Sequence, residues 1–261
     1  MNSSHIAAMF IRHFTQMHND LSRVLNTFFF PLIDIIIWGF LGMWMNSPCQ
    51  SQAQVILLSS IILWQIGNRL GLEMGLTLLE ELWSPNIGNL FSTSLTIGEW
   101  FIGCTLFACS VITLIVLYCI VLTHFIYNIP FLFLLKMFAI FAPALYCAGM
   151  WVGLMILTIV LYLGRSAGSI TFAFGLIFAP FCSVFYPRTI LPLWAQKVGG
   201  VLPATHVFEG LRNYIMHGTN PTISILVSLG LSALYCTITF MIFMYAFNRS
   251  KKIGLATLPY R

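Results

Sequence analysis

Residues 100–123 read WFIGCTLFACSVITLIVLYCIVLT, 24 positions without one charged side chain. As a helix this run is about 36 Å long, enough to cross a hydrocarbon layer of about 30 Å. Just ahead of it, Thr96-Ile97-Gly98-Glu99 has the spacing of a capping box, in which the threonine and glutamate each satisfy a backbone N–H at a helix start. Working outward, comparable runs occupy about 27–45, 55–78, 99–126, 132–161, 167–186 and 222–248. Pro31, Pro143 and Pro180 fall inside them, where membrane helices tolerate proline. The expected fold is an all-α integral membrane protein of six transmembrane helices. One membrane domain covers 1–261, with spans 1–5 in 27–186, the sixth in 222–248 and a tail in 249–261.

Composition agrees with that reading. Of 261 residues, 59% are hydrophobic and 7% charged, and the mean hydropathy is +0.92. A soluble domain carries roughly 25% charged residues, so a soluble globular protein is excluded and no length remains for an autonomous catalytic domain. The net charge of +5 comes from scattered Lys and Arg, which argues against a nucleic-acid surface. The seven cysteines, at 49, 104, 109, 119, 147, 182 and 236, form no C-x-x-C pair and read as small buried hydrophobes.

Residues 1–26 are too polar to span. Ile6, Met9, Phe10, His13 and Met17 recur at helical spacing, with Arg12, Gln16, Asn19 and Arg23 opposite, so an amphipathic helix lying in the membrane interface is expected, uncleaved. Six spans put both termini on one side. Arg12, Arg23, Arg165, Arg249, Lys251, Lys252 and Arg261 then face the cytoplasm, against Lys136, Arg188, Lys197 and Arg212 outside.

Two connections exceed a turn. The stretch from about Thr77 to Gly98 reads as a cytoplasmic loop with Glu80, Glu81, Trp83, Ser84, Pro85 and Asn86, and Ser84-Pro85 predicts a short helix through about Phe91. Residues 187–221, with Pro192, Trp194, Pro203, Glu209 and Arg212, are too apolar for a free loop and too broken to span. They predict an outer re-entrant helical hairpin between spans 5 and 6, its apolar faces Trp194/Val198/Val201 and Val207/Leu211/Tyr214 buried.

Chemistry-bearing patterns are few. Gly164-Arg165-Ser166-Ala167-Gly168 matches a hydrolase elbow, but it lacks the preceding strand and a partner acid and base, so a tight turn is expected. The six histidines give neither H-E-x-x-H nor facing haem ligands, and no phosphate-cradling G-x-x-x-x-G-K-[ST] occurs. No residue is assigned a catalytic or metal role, and no cofactor is expected on the chain itself. Gly67, Gly71 and Gly75, like Gly149 and Gly153, suggest close helix packing. Asp34, Arg69 and Glu73 are ionisable groups inside lipid. Asp34 and Arg69 fall at one depth on adjacent antiparallel spans and are expected to pair, with Glu73 a second acceptor.

The layout resembles the permease subunit of type 2 ATP-binding-cassette (ABC) exporters. The resemblance rests on the leader, the six spans, Leu79-Glu80-Glu81-Leu82 with Glu99 before the third span, and Leu191-Pro192-Leu193-Trp194 followed by Leu202-Pro203-Ala204-Thr205 and Glu209-Gly210-Leu211-Arg212. Ser94 stands where that family often has proline. The resemblance implies no enzyme activity on this chain, but a translocation path coupled to two ABC ATPase subunits that bind ATP and Mg, a second permease copy, and a bacterial cell inner membrane. It implies that the helix near Trp83 to Phe91 and the leader receive the ATPase motion and that the outer hairpin helps form the exit gate. The alternatives are a small intramembrane enzyme or assembly factor using Glu209, Arg212 or His206 on lipid-linked substrate, and a gradient-driven carrier using Asp34.

Overall fold

The computed structural model describes residues 2–45, 52–83, 90 and 93–253. Among them are nine helices and no strand: α1 (Ser3–Asn19), α2 (Leu21–Met45), α3 (Ala53–Trp83), α4 (Ile97–Tyr127), α5 (Phe131–Leu163), α6 (Gly168–Phe178), α7 (Leu193–Val201), α8 (Pro203–His217) and α9 (Thr222–Ile253). Five of them, α2, α3, α4, α5 and α9, are long and apolar enough to cross a bilayer.

The helix ends have local causes. Asn2 caps α1 by accepting from the Ser4 N–H, and Asp20 turns the chain and caps α2 through the Arg23 N–H at 3.2 Å. The expected capping box opens α4, with Glu99 N donating to Thr96 Oγ1 at 3.3 Å and Thr96 N to Glu99 Oε2 at 3.1 Å. Asn128, at φ 54°, ends α4, and Gly218, at φ 64°, ends α8; both take the left-handed conformation that closes a helix.

α3 is the axis, packed by α2, α4, α5, α6 and α8. It meets α5 along small residues. A methyl group on Gly71 would sit 2.8 Å from Val152 Cγ1, and one on Gly75 2.5 Å from Ile156 Cγ2, so the two helices approach nearly backbone to backbone. Gly67 faces nothing closer than 4.0 Å and is not part of that seam.

Two boundaries differ from the sequence reading. α3 continues to Trp83, so Glu80 and Glu81 are in its last turns and not on a loop. The fifth apolar run, read as a span over 167–186, is helical only over α6, 11 residues, and then breaks into turns. Pro180 has no N–H to continue the ladder, and Ser183 sits at φ 58°, so the backbone leaves the helix there. Beyond it, Arg188–Ile190 forms a 3₁₀ turn and α7 and α8 meet at Leu202. The short helix expected over Ser84, Pro85 and Asn86 lies outside the described residues.

Candidate functional site

Three polar clusters lie along the axis. The first fastens α1 to the ends of α3 and α4. Glu99, besides its capping role, accepts from Asn2 N at 2.7 Å and lies 3.1 Å from His5 Nδ1, tying the first turn of α1 to that of α4. One helical face further, Arg12 grips Glu81 with both fork nitrogens, Nε to Oε1 at 2.8 Å and Nη2 to Oε2 at 2.7 Å. Past the Asp20 corner, Arg23 reaches Glu73 at 2.8 Å and also pairs with Glu80. Arg23 is 8% exposed, Glu73 2% and Glu81 0%, so these charges are held by each other and not by water.

Under this clamp lies His13, fully buried. Its Nδ1 is 3.0 Å from Gln16 Oε1, which can only accept, so Nδ1 carries the proton and Nε2, 3.2 Å from Cys104 Sγ, accepts from the thiol. Burial pushes the His13 pKa down to about 4 and outweighs the opposing Gln16 bond, with Arg12 and Arg23 lowering it further. The imidazole is therefore neutral at ordinary pH.

The second cluster joins α2 and α3 near their middles. Asp34 and Arg69 do not pair directly as expected, since no nitrogen–oxygen approach within 4.0 Å joins them. Gln65 stands between: its Nε2 donates to Asp34 Oδ2 at 3.0 Å, and its Oε1 accepts from Arg69 Nε at 2.7 Å. Glu73 is not the second acceptor either, because Arg23 engages it.

The third cluster is the broken segment after α6. Arg212 Nη2 donates to the Ser183 carbonyl at 3.1 Å, Thr205 Oγ1 to Phe181 O at 3.2 Å, and His206 Nε2 lies 3.0 Å from Gly200 O. Pro192 caps α7 and Pro203 begins α8. Glu209 forms no ion pair with Arg212. The apolar faces behave differently. Val207 and Leu211 of α8 are buried and Tyr214 is half-buried, as expected, whereas Trp194, Val198 and Val201 of α7 are exposed. α7 turns Ala195 and Gly199 inward instead, because a side chain at 199 would strike Phe181 O. Trp194 also lies edge-on to Phe181.

The hydrolase-like Gly164–Gly168 stretch is a 3₁₀ turn in which Ser166 Oγ donates to Leu163 O, with no strand before it. Among the described residues no three His, Cys, Asp or Glu side chains gather as metal ligands. Sequence reasoning missed Gln65, whose only signal was its place one helical turn before Arg69, and His13 against Cys104, 91 residues apart, which had no sequence signal. No protein-family model matches the chain, and no curated protein matches it. The fold defines the class: an all-helical protein with the make-up of a multi-pass membrane protein.

Proposed function

We propose that the chain is the membrane-spanning subunit of an ATP-driven exporter of the type 2 ABC class. It forms the translocation path, pairs with a second copy, and is driven by two ATPase subunits that carry ATP and Mg. The observation that carries this reading is the clamp: the interfacial helix α1 is fixed to the last turns of α3 by Arg12 on Glu81, and the adjoining start of α2 by Arg23 on Glu73 and Glu80. A push on α1 from a partner at the membrane surface would move α3, and through its glycine seam α5, as one piece. The chain has no phosphate loop of its own, so the drive must be supplied from outside it.

In this reading both termini are cytoplasmic in a bacterial inner membrane. The fifth crossing combines α6 with the broken stretch to Tyr186, the sixth is α9, and 187–221 is a re-entrant outer gate. Support for the gate is positional. Pro203 and Ala204 line one apolar cavity with Trp151 and Val152 near the middle of α5, while Tyr214 packs on Phe141, three turns nearer the start of α5. α8 thus runs obliquely from mid-depth outward.

An enzyme acting on lipid-linked substrate is disfavoured, because His206 and Arg212 each bond a backbone carbonyl, of Gly200 and Ser183, and Glu209 forms no ion pair with Arg212. Affinity purification of the tagged chain from its native host is the test. Recovery of an ABC ATPase is expected, together with no saturable ATP binding by the chain alone. A chain that transports in proteoliposomes on a proton gradient without any ATPase would be a carrier instead.

A further inference from the structure

Arg69 is a charge left largely unsatisfied near the middle of α3. It is 8% exposed, 14 residues before the end of α3 and so about 20 Å along the helix. Of its five N–H donors only the one on Nε is engaged, and by a neutral amide oxygen. The terminal nitrogens make no hydrogen bond to described residues and are not sealed inside the protein. Glu73, one turn away, is held by Arg23, and the facing residue on α4, Cys119, is a buried thiol. Asp34, half-buried on α2, likewise has one oxygen on Gln65 and the other without a bond to described residues. An unpaired guanidinium at this depth costs roughly 2.5–3.5 kcal/mol on insertion scales, which a direct pair with Asp34 would relieve. The Gln65 amide prevents that pair by occupying the facing atom of each.

We propose that Asp34, Gln65 and Arg69 form a receptor for a zwitterion, an oxyanion with an ammonium group a few bonds away. The planar fork of Arg69 presents four open N–H donors to a two-oxygen anion such as a phosphate or carboxylate. The open Asp34 oxygen meets the cation. A bare anion would be repelled by Asp34 and Glu73, and a bare cation by Arg69, so only a ligand carrying both charges gains on both sides. The inference deepens the exporter reading, in which such a ligand is cargo, but its test measures binding without transport. Failure to bind and failure to transport are therefore separate results.

The purified chain in an uncharged maltoside detergent is titrated with phosphocholine, inorganic phosphate or choline, and its melting temperature followed. Phosphocholine is expected to raise it saturably, and phosphate or choline alone to need at least tenfold more. Asp34→Asn should bring phosphate level with phosphocholine, since the repelling charge is gone. Arg69→Gln should abolish the response, and Arg69→Lys, which keeps charge but loses the fork, should shift the midpoint at least tenfold. If Arg69→Gln does not fold, the Lys variant and the wild-type ligand preference still decide. In a second arm, native mass spectrometry follows phosphatidylcholine added to the micelles. Retention by the wild type and loss in Arg69→Lys, without any response to free phosphocholine, identifies the headgroup of a lipid as the ligand and supports the receptor. Equal responses of wild type and Arg69 variants, phosphate matching phosphocholine in the wild type, or no response in either arm would overturn it.

Discussion

Glu81 shows how much a residue's role depends on where its helix ends. On a loop its charge would be free for a partner, and reversal would disturb association while leaving folding alone. In the last turns of α3 it is fully buried and gripped by both fork nitrogens of Arg12. Glu81→Lys therefore sets an ammonium against the guanidinium of Arg12, and because Arg12 is half-exposed the cost falls below the roughly 3–5 kcal/mol of breaking a fully buried pair. The expected outcome is a large loss of monodisperse protein by size-exclusion chromatography, with Arg12→Glu combined with Glu81→Lys recovering part of it. A normal yield of the single variant would mean that α1 is not docked this way. At Asp34 and Arg69 the structure changes the expected coupling. Because Gln65 bonds to both, Asp34→Asn and Arg69→Gln share a partner and should couple by roughly 0.5–3 kcal/mol in stability, and Gln65→Leu, which breaks both bonds, should cost more than either and remove that coupling. A coupling that survives Gln65→Leu would restore the direct pair.

At the scale of elements, α1 is held by polar contacts, which makes its docking sensitive to acid. His13 has its pKa lowered from 6.5 to about 4 in the folded chain. The unfolded or undocked state therefore binds the proton first, and stability rises with pH between these values. The contribution is complete above about 6.5 and is lost as pH falls to 4, up to about 3 kcal/mol at 1.36 kcal/mol per unit. The groups facing the ring are Arg12, Arg23, Gln16, Cys104 and the Phe107 ring, none of which would welcome an imidazolium. Melting temperature measured from pH 7 to 4 should fall more steeply for the wild type than for His13→Gln, and parallel curves would remove the histidine from the account. The glycine seam gives a second contrast: Gly71→Ala should cost about 1–3 kcal/mol by overpacking against Val152, while Gly67→Ala, which meets only the Trp64 ring at an unstrained 4.0 Å, should not lower the melting temperature.

These elements also mark what the sequence made legible. The Thr96/Glu99 cap, the apolar face of α1 through Met9, His13 and Met17, and the presence of helix between residues 187 and 221 were readable because each is set by a local pattern, whereas the buried side of α7 was not. The end of α3 was not, since hydropathy stops at two glutamates whose arginine partners lie 57 and 69 residues away. Nor was the short α6, because an apolar run looks the same whether or not its backbone stays helical past Pro180.

For the whole molecule, the informative surface is apolar. α2 and α9 leave Phe29, Phe30, Ile37, Phe40, Leu226, Leu234 and Met241 uncovered, and α7 does the same with Leu193, Trp194, Val198 and Val201. In water such a surface would bring the chain out of solution; against acyl chains it is already at home, and that explains why α7 turns its small residues inward. In the proposed topology, lipid-tail contact at α7 would also fix how the hairpin over 187–221 sits, because a periplasmic loop would present the same side chains to water. The expected outcome is that a bimane attached at Trp194→Cys is quenched by lipids brominated on their acyl chains, and that the same cysteine reacts slowly with a membrane-impermeant thiol reagent in intact cells. Leu211→Cys, buried against the protein, should resist both the reagent and the bromine. Rapid impermeant labelling at 194 with no quenching would place α7 in the aqueous phase and remove the re-entrant gate. Resistance to both at 194 would instead mean that protein covers this face, and a cross-link between two copies through Trp194→Cys would identify the cover as a second permease chain.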